Sequence, residues 1–137
     1  MADKVSKVAY AYVMAADRPG EGAKVLGALR KAGVNLIAYA GFPTAGRKAQ
    51  LVLVPEKMAR LKSVAQMKGL KLSPTKTAFL VKGKDRVGAV ARSMEKLARA
   101  RVNITAAHAV SGGGGSYGMV IWVKEKAIAK AAKALGA

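Results

Sequence analysis

Hydrophobic positions along the chain switch between two periods, and the switches mark the elements. Val8 to Met14 is apolar, with Tyr10 and Tyr12 on one side of an alternating pattern, which predicts a strand. Val25, Leu26, Leu29 and Ala32 then recur at three and four spacing while Lys24, Arg30 and Lys31 take the other positions, so 20–32 reads as an amphipathic helix. Gly33 suits the left-handed position that stops it. Asn35 to Phe42 and Lys48 to Val54 read as a hairpin pair, joined by Pro43-Thr44-Ala45-Gly46. A second helix follows Pro55-Glu56-Lys57, striped by Met58, Leu61, Val64, Ala65 and Met67, and Gly69 ends it. Leu70-Lys71-Leu72 reads as a short closing strand, giving a β-α-β-β-α-β unit.

After Ser73-Pro74-Thr75, a short linker, the cycle restarts. Thr77 to Lys82 reads as a strand, and Val90, Ala91, Met94, Leu97 and Ala98 stripe a helix. Asn103 to Val110 and Tyr117 to Val123 read as a hairpin around the flexible loop Ser111-Gly112-Gly113-Gly114-Gly115-Ser116. Ile128, Ala131, Ala132 and Leu135 stripe the last helix. The second unit therefore lacks a closing strand and leaves a sheet edge to be covered, which points to a homodimer.

The elements repeat because the sequence does. Asp17-Arg18-Pro19-Gly20 and Val34-Asn35-Leu36 return 68 positions later as Asp85-Arg86-Val87-Gly88 and Val102-Asn103-Ile104. Residues 17–40 and 85–108 align without a gap and share nine identities. Such a period means two copies of one supersecondary unit. The expected fold class is α+β: two ferredoxin-like units side by side in a joined antiparallel sheet, with helices on one face. The expected domains are residues 1–72 and 75–137. Units this small bury only about 60% of their unfolded surface and lean on neighbours for stability.

Composition narrows the chemistry. The chain has 137 residues and no cysteine, which excludes a disulfide framework and thiolate chemistry. Its start, Met-Ala-Asp-Lys-Val-Ser-Lys, lacks the apolar run of a signal peptide, and no stretch approaches a membrane span, so a cytoplasmic location is expected. The net charge is +18, spread evenly: 12 Lys/Arg against 4 Asp/Glu in residues 1–69, and 13 against 3 in residues 70–137. A field of that sign attracts anions, nucleic acid among them.

The duplicated corner carries the candidate chemistry. A strand running through a glycine turn into a helix presents free backbone N–H groups at a positive helix end, where a carboxylate or phosphate can sit. Gly20 and Gly88 permit close approach, and Asn35 and Asn103 open the following strands with amides that both donate and accept. That combination suits a zwitterionic amino acid. Asp17 and Asp85 equally serve as turn caps, which is the more ordinary role for aspartate there.

The run Asp-Arg-Pro-Gly-x-x-Ala-x-Val-Leu-x-x-Leu-x-x-Ala-Gly-Val-Asn-Leu at residues 17–36 resembles an ACT domain, a small ferredoxin-like module that senses amino acids. Residues 85–104 resemble it again, with Val87 in place of the proline and Arg101 in place of the glycine before Val102. The likeness covers almost the entire chain, which looks like a free-standing tandem ACT protein. It implies a regulatory role without catalysis or cofactor, with an amino-acid effector bound where modules meet. The implied contacts are Asp17, Arg18, Pro19, Gly20 and Glu21 with Asn35, Leu36 and Ile37. In the second copy they are Asp85, Arg86, Val87, Gly88 and Ala89 with Asn103, Ile104 and Thr105.

One competing pattern is RNA recognition, in which aromatics of the first and third strands stack bases. Tyr10 and Tyr12 lie on a first strand, and Gly115-Ser116-Tyr117-Gly118-Met119-Val120 faintly echoes the third-strand signature. The two halves of that signal lie in different copies, and aromatic content is only 5%, so electrostatic binding of a polyanion is the stronger form of this alternative. The glycine run 112–115 leads into a strand and lacks the Gly-Lys-Ser/Thr ending of a phosphate loop. His108 is the sole histidine and the seven carboxylates show no catalytic spacing, so no enzyme is expected.

Overall fold

A computed structural model describes residues 3–137; Met1 and Ala2, assigned above to the first domain, lie outside the described residues. The element order is β1 (Lys4–Ala16), α1 (Glu21–Lys31), β2 (Leu36–Thr44), β3 (Lys48–Pro55), α2 (Met58–Lys68), β4 (Lys76–Lys84), α3 (Ala89–Arg99), β5 (Ala106–Gly113), β6 (Ser116–Trp122), a 3-10 turn (Glu125–Ala127) and α4 (Ile128–Leu135). Six strands and four α-helices in the order β-α-β-β-α-β-α-β-β-α give the α+β, tandem ferredoxin-like class expected from the periodicity.

The chain divides into two compact units. One is Ala9–Lys76; the other is Thr77–Ala137 together with the chain start through Val8. In the first, strand order is β2-β3-β1, with β3 antiparallel to both neighbours. Leu51 and Leu53 of β3 turn toward Val25 and Leu29 of α1 and Leu61 and Val64 of α2, forming its core. In the second, strand order is β1-β4-β6-β5, with β6 antiparallel to β4 and β5. Phe79, Val81, Met119 and Ile121 pack there against Leu97 of α3 and Ala131, Ala132 and Leu135 of α4, and Val5 of β1 joins them.

One expected strand is not formed. Leu70 to Thr75 has no regular structure, although Leu70 and Leu72 pack on the first core. The apolar alternation was real; the backbone pairing was not. Ser73 N–H donates to the Tyr12 carbonyl at 2.8 Å, but Tyr12 N–H donates to the Ser73 hydroxyl at 2.9 Å instead of to a carbonyl. A side-chain oxygen has taken the ladder position, and Pro74, having no N–H, stops the pairing from propagating.

Helix ends follow the repeat. Gly20 (φ 89°) and Gly88 (φ 83°) are left-handed N-caps, so Val87 preserves the corner that Pro19 forms. Gly33 (φ 73°) and Arg101 (φ 57°) hold the same left-handed position beyond the helix C-terminus. Only glycine adopts it without a steric cost.

Candidate functional site

Within a unit, the corner and the asparagine stand at opposite ends. Ala16, at the end of β1, pairs with Lys48, which pairs with Thr44 at the end of β2. Leu36, beside Asn35, pairs with Pro55 at the far end of β3. The length of β2 between them is about 26 Å at the usual rise per residue. Asp17 to Glu21 and Asn35 to Ile37 thus do not converge inside one unit, and the same order of elements separates Asp85 to Ala89 from Asn103 to Thr105.

Asn35 lines a small recess of about 210 Å³ with Gly33, Val34, Glu56, Lys57 and Arg60. Its amide donates to the Glu56 carboxylate at 3.4 Å, and Glu56 N–H donates back to the Asn35 carbonyl at 2.9 Å. That pair ties the start of β2 to the segment before α2. The Arg60 guanidinium donates to the Ala32 carbonyl at 2.8 Å, closing the C-terminal end of α1. Asn103 is exposed, and Thr105 N–H donates to the Trp122 carbonyl.

The two corners share a backbone and differ in what fills them. In both, the first helical N–H turns back into the loop: Glu21 to the Arg18 carbonyl, Ala89 to the Arg86 carbonyl. The next two amides, Gly22 and Ala23 in the first copy and Val90 and Ala91 in the second, have no acceptor recorded among the described residues, and neither helix has a side-chain cap. These are the donors that a helix N-terminus leaves open.

The first corner is furnished by the chain itself. Glu21 sits in the first turn of α1, ion-paired to Lys24 at 3.0 Å and Arg18 at 3.5 Å, with its side chain largely covered. The Lys24 hydrogen bond, followed by the Coulomb pull of Lys24 and Arg18, holds its carboxyl below the usual glutamate range. Tyr39, on the helix side of β2, brings its hydroxyl close to Gly22 and Gly41; a Cβ on Gly41 would stand 3.0 Å from it. A carboxylate and a phenol thus already crowd this corner.

The second corner is open. Glu21 and Tyr39 are replaced at the 68-residue offset by Ala89 and Ala107, and the first turn of α3 has no acidic residue. A groove of about 360 Å³ lies there. Val90, Ala91, Ala109 and Val110 give it aliphatic walls, and Asp85, Arg86, Ser111 and Tyr117 give it polar groups. The Ser111 hydroxyl donates to the Asp85 carboxylate at 2.7 Å, which leaves that carboxylate acceptor capacity toward the groove.

Arg86 and Tyr117 bind a third residue. The Arg86 guanidinium donates to both oxygens of Asp3, at 3.1 and 3.5 Å, and to the Lys84 carbonyl at 2.8 Å. The Tyr117 hydroxyl donates to Asp3 at 2.9 Å. The Asp3 side chain is 6% exposed. Burial opposes its charge, but the Arg86 and Tyr117 hydrogen bonds and the charges of Arg86 and Arg92 outweigh burial and lower its pKa. Burial and the Asp3 partnership raise that of Tyr117.

The sequence singled out Asp85, Arg86, Gly88 and Ala89, all of which line the groove, while Val87 points fully into solvent. It missed Ser111 and Tyr117, which pair across the β5–β6 ladder. Alternation along β6 carried their signal, since Tyr117 shares the inward face of Met119 and Ile121. Burial of Tyr117 also removes it from any base-stacking surface, and the echo of an RNA-binding third strand ends there. His108 makes an edge contact with Trp122, ring centroids 5.6 Å apart, as an aromatic pair on one face of the hairpin.

No family model and no curated protein matches this sequence. Solved structures do. Protein BT0572 from Bacteroides thetaiotaomicron superposes with a TM-score of 0.82 at 14% identity, over 96% of this chain and 88% of that one. The ligand-free regulatory subunit of aspartate kinase from Thermus thermophilus gives 0.63 at 15% identity, over 99% and 95%. The corresponding subunit from Thermus flavus gives 0.59 at 16% identity, over 99% and 95%. Over nearly its whole length the chain has the tandem ACT fold of these regulatory subunits.

Proposed function

We propose that the chain is a regulatory protein that binds a small amino acid at the open corner between β4 and α3. The ligand carboxylate lies between the free amides of Val90 and Ala91, where the helix end is positive, and the Arg86 guanidinium on the same groove. Its ammonium goes to Asp85, held by Ser111, and a short aliphatic side chain lies along Val90, Ala109 and Val110. The observation that carries this reading is the difference between the copies: the first helical turn bears Glu21 in one and no acidic residue in the other. Binding regulates by differing in strength between two arrangements of the modules, within a homodimer.

The test is calorimetry against each common amino acid, repeated on Ala89→Glu, which gives the second corner the carboxylate of the first. A like charge near a surface at ~4–6 Å costs on the order of 1–4 kcal/mol. Binding should therefore weaken about tenfold or more. No binding by any amino acid, or binding unchanged in Ala89→Glu, refutes the assignment.

The +18 charge supports a second reading, association with a polyanion. That affinity should fall steeply between about 50 and 200 mM salt, whereas binding of a net-neutral amino acid should barely respond.

A further inference from the structure

We propose that Asp3 is a latch on the open corner: its carboxylate holds Arg86 and Tyr117 until a free carboxylate displaces it, and displacement loosens the start of β1. This rests on the reading of that groove as a carboxylate site. Two observations and one general rule carry it. Arg86 and Tyr117 line the groove and also bond Asp3, so the groove borders the two residues that hold a resident carboxylate. An arginine fork with an adjacent hydroxyl is a preferred receptor for a planar carboxylate, wherever that carboxylate comes from. The seat is also shaped for Asp3: a Cβ on Gly83 would strike the Asp3 carboxylate and come within 2.9 Å of the Tyr117 ring.

Nothing equivalent exists in the first copy, where the 68-residue offset puts Ala15, Arg18 and Ala49 in place of Gly83, Arg86 and Tyr117. The titratable groups facing Asp3 are therefore Arg86, Tyr117 and, at longer range, Arg92. Asp3 immediately precedes β1, whose first residues, through Val8, belong to this unit and whose remainder belongs to the other. A ligand that replaces Asp3 acts directly on that strand.

Acetate, the bare carboxylate, is the probe, titrated into the full-length protein at constant ionic strength. Removing an internal competitor multiplies the apparent dissociation constant by the fraction of time the seat was free, on the order of a tenth for a seat that is mostly taken. Asp3→Ala should therefore bind acetate about tenfold more tightly than the wild type, and Asp3→Asn should do the same should Asp3→Ala fold poorly. Arg86→Gln in the Asp3→Ala background should abolish the gain. In the wild type, acetate should speed hydrogen exchange of the Lys4–Val8 amides. A purely structural staple would leave wild-type exchange untouched, and that result overturns the latch, as does equal acetate affinity in wild type and Asp3→Ala. Either failure leaves the amino-acid reading intact if the calorimetric screen is positive. That reading falls separately if neither the wild type nor Asp3→Ala binds any amino acid.

Discussion

Replacing Arg101 by glycine should make the protein more stable. Arg101 has φ 57° just beyond α3, and its 68-residue counterpart is Gly33 at φ 73°. Both close their helices alike: Arg101 N–H donates to Ala98 and Val102 N–H to Leu97, as Gly33 does to Arg30 and Val34 to Leu29, all between 2.9 and 3.0 Å. The hydrogen bonds are matched, so the difference between the sites is the β-carbon. A non-glycine residue in left-handed geometry costs roughly 1–2 kcal/mol. Glycine gives back about 0.4–1 kcal/mol through the greater freedom of its unfolded chain. The exposed Arg101 side chain makes no ion pair recorded among the described residues, so its loss subtracts little. The net gain for Arg101→Gly is about 0.5–1 kcal/mol, worth roughly 2–4 °C in Tm for a chain of this size. Urea unfolding of wild type, Arg101→Gly and Arg101→Ala measures it. The alanine variant removes the same charge and keeps the β-carbon, so it should change stability by less than half as much. If alanine matches glycine, the gain is electrostatic and the strain argument is wrong.

Other outcomes follow from the same geometry. Gly83→Ala should destabilise by about 1–3 kcal/mol, the usual cost of an overpacked site, because the new methyl collides with Asp3 and crowds Tyr117; a urea titration reads it. Phe79→Ala should cost about 3–5 kcal/mol, since that ring is fully buried at the centre of the second core. Acid should weaken the fold through Asp3: its pKa is lowered on folding, so its contribution is complete above the unfolded value of 3.8 and is lost as pH falls through the lower folded value. Asp3→Asn should flatten that part of the stability–pH curve. Tyr117 behaves oppositely, its contribution complete below 10.0 and lost as pH rises through the raised folded value.

The architecture was legible because period and spacing are local. Helix stripes, glycine stops and the offset of 68 needed only residues close in sequence or an ungapped comparison of the chain with itself. The expected strand at Leu70 to Leu72 failed because its alternation reported burial, while the ladder turned on one Ser73 hydroxyl and the missing N–H of Pro74. The candidate site was legible in part for a related reason. Asp85 to Ala89 is one contiguous motif, but Asp3 meets Arg86 across 83 residues and Tyr117 across 114. No local pattern encodes such a meeting. Asn35 and the Asp17 corner are the opposite case, being neighbours in the motif and far apart along the same strand pair.

Duplication with divergence then explains why the copies should not be expected to act alike. Backbone demands are met twice: a left-handed glycine before each odd-numbered helix, two unclaimed amides after it, and a left-handed residue at its far end. Because folding alone sustains those features, they identify a scaffold and say nothing about a ligand. Function has to be read from what differs on that scaffold. Glu21 and Tyr39 stand in one copy where the other has Ala89 and Ala107, and the open groove of that second corner lies next to a carboxylate of the chain's own. On this argument Glu21→Ala combined with Tyr39→Ala should open the first corner, and calorimetry should then count a second, weaker ligand per chain. It should be weaker because Arg18, the counterpart of Arg86, has no Tyr117 equivalent to hold a carboxylate with it. A variant that still binds one ligand would mean that the shared backbone corner is not sufficient for binding, and that Arg86, Ser111 and Tyr117 define the site.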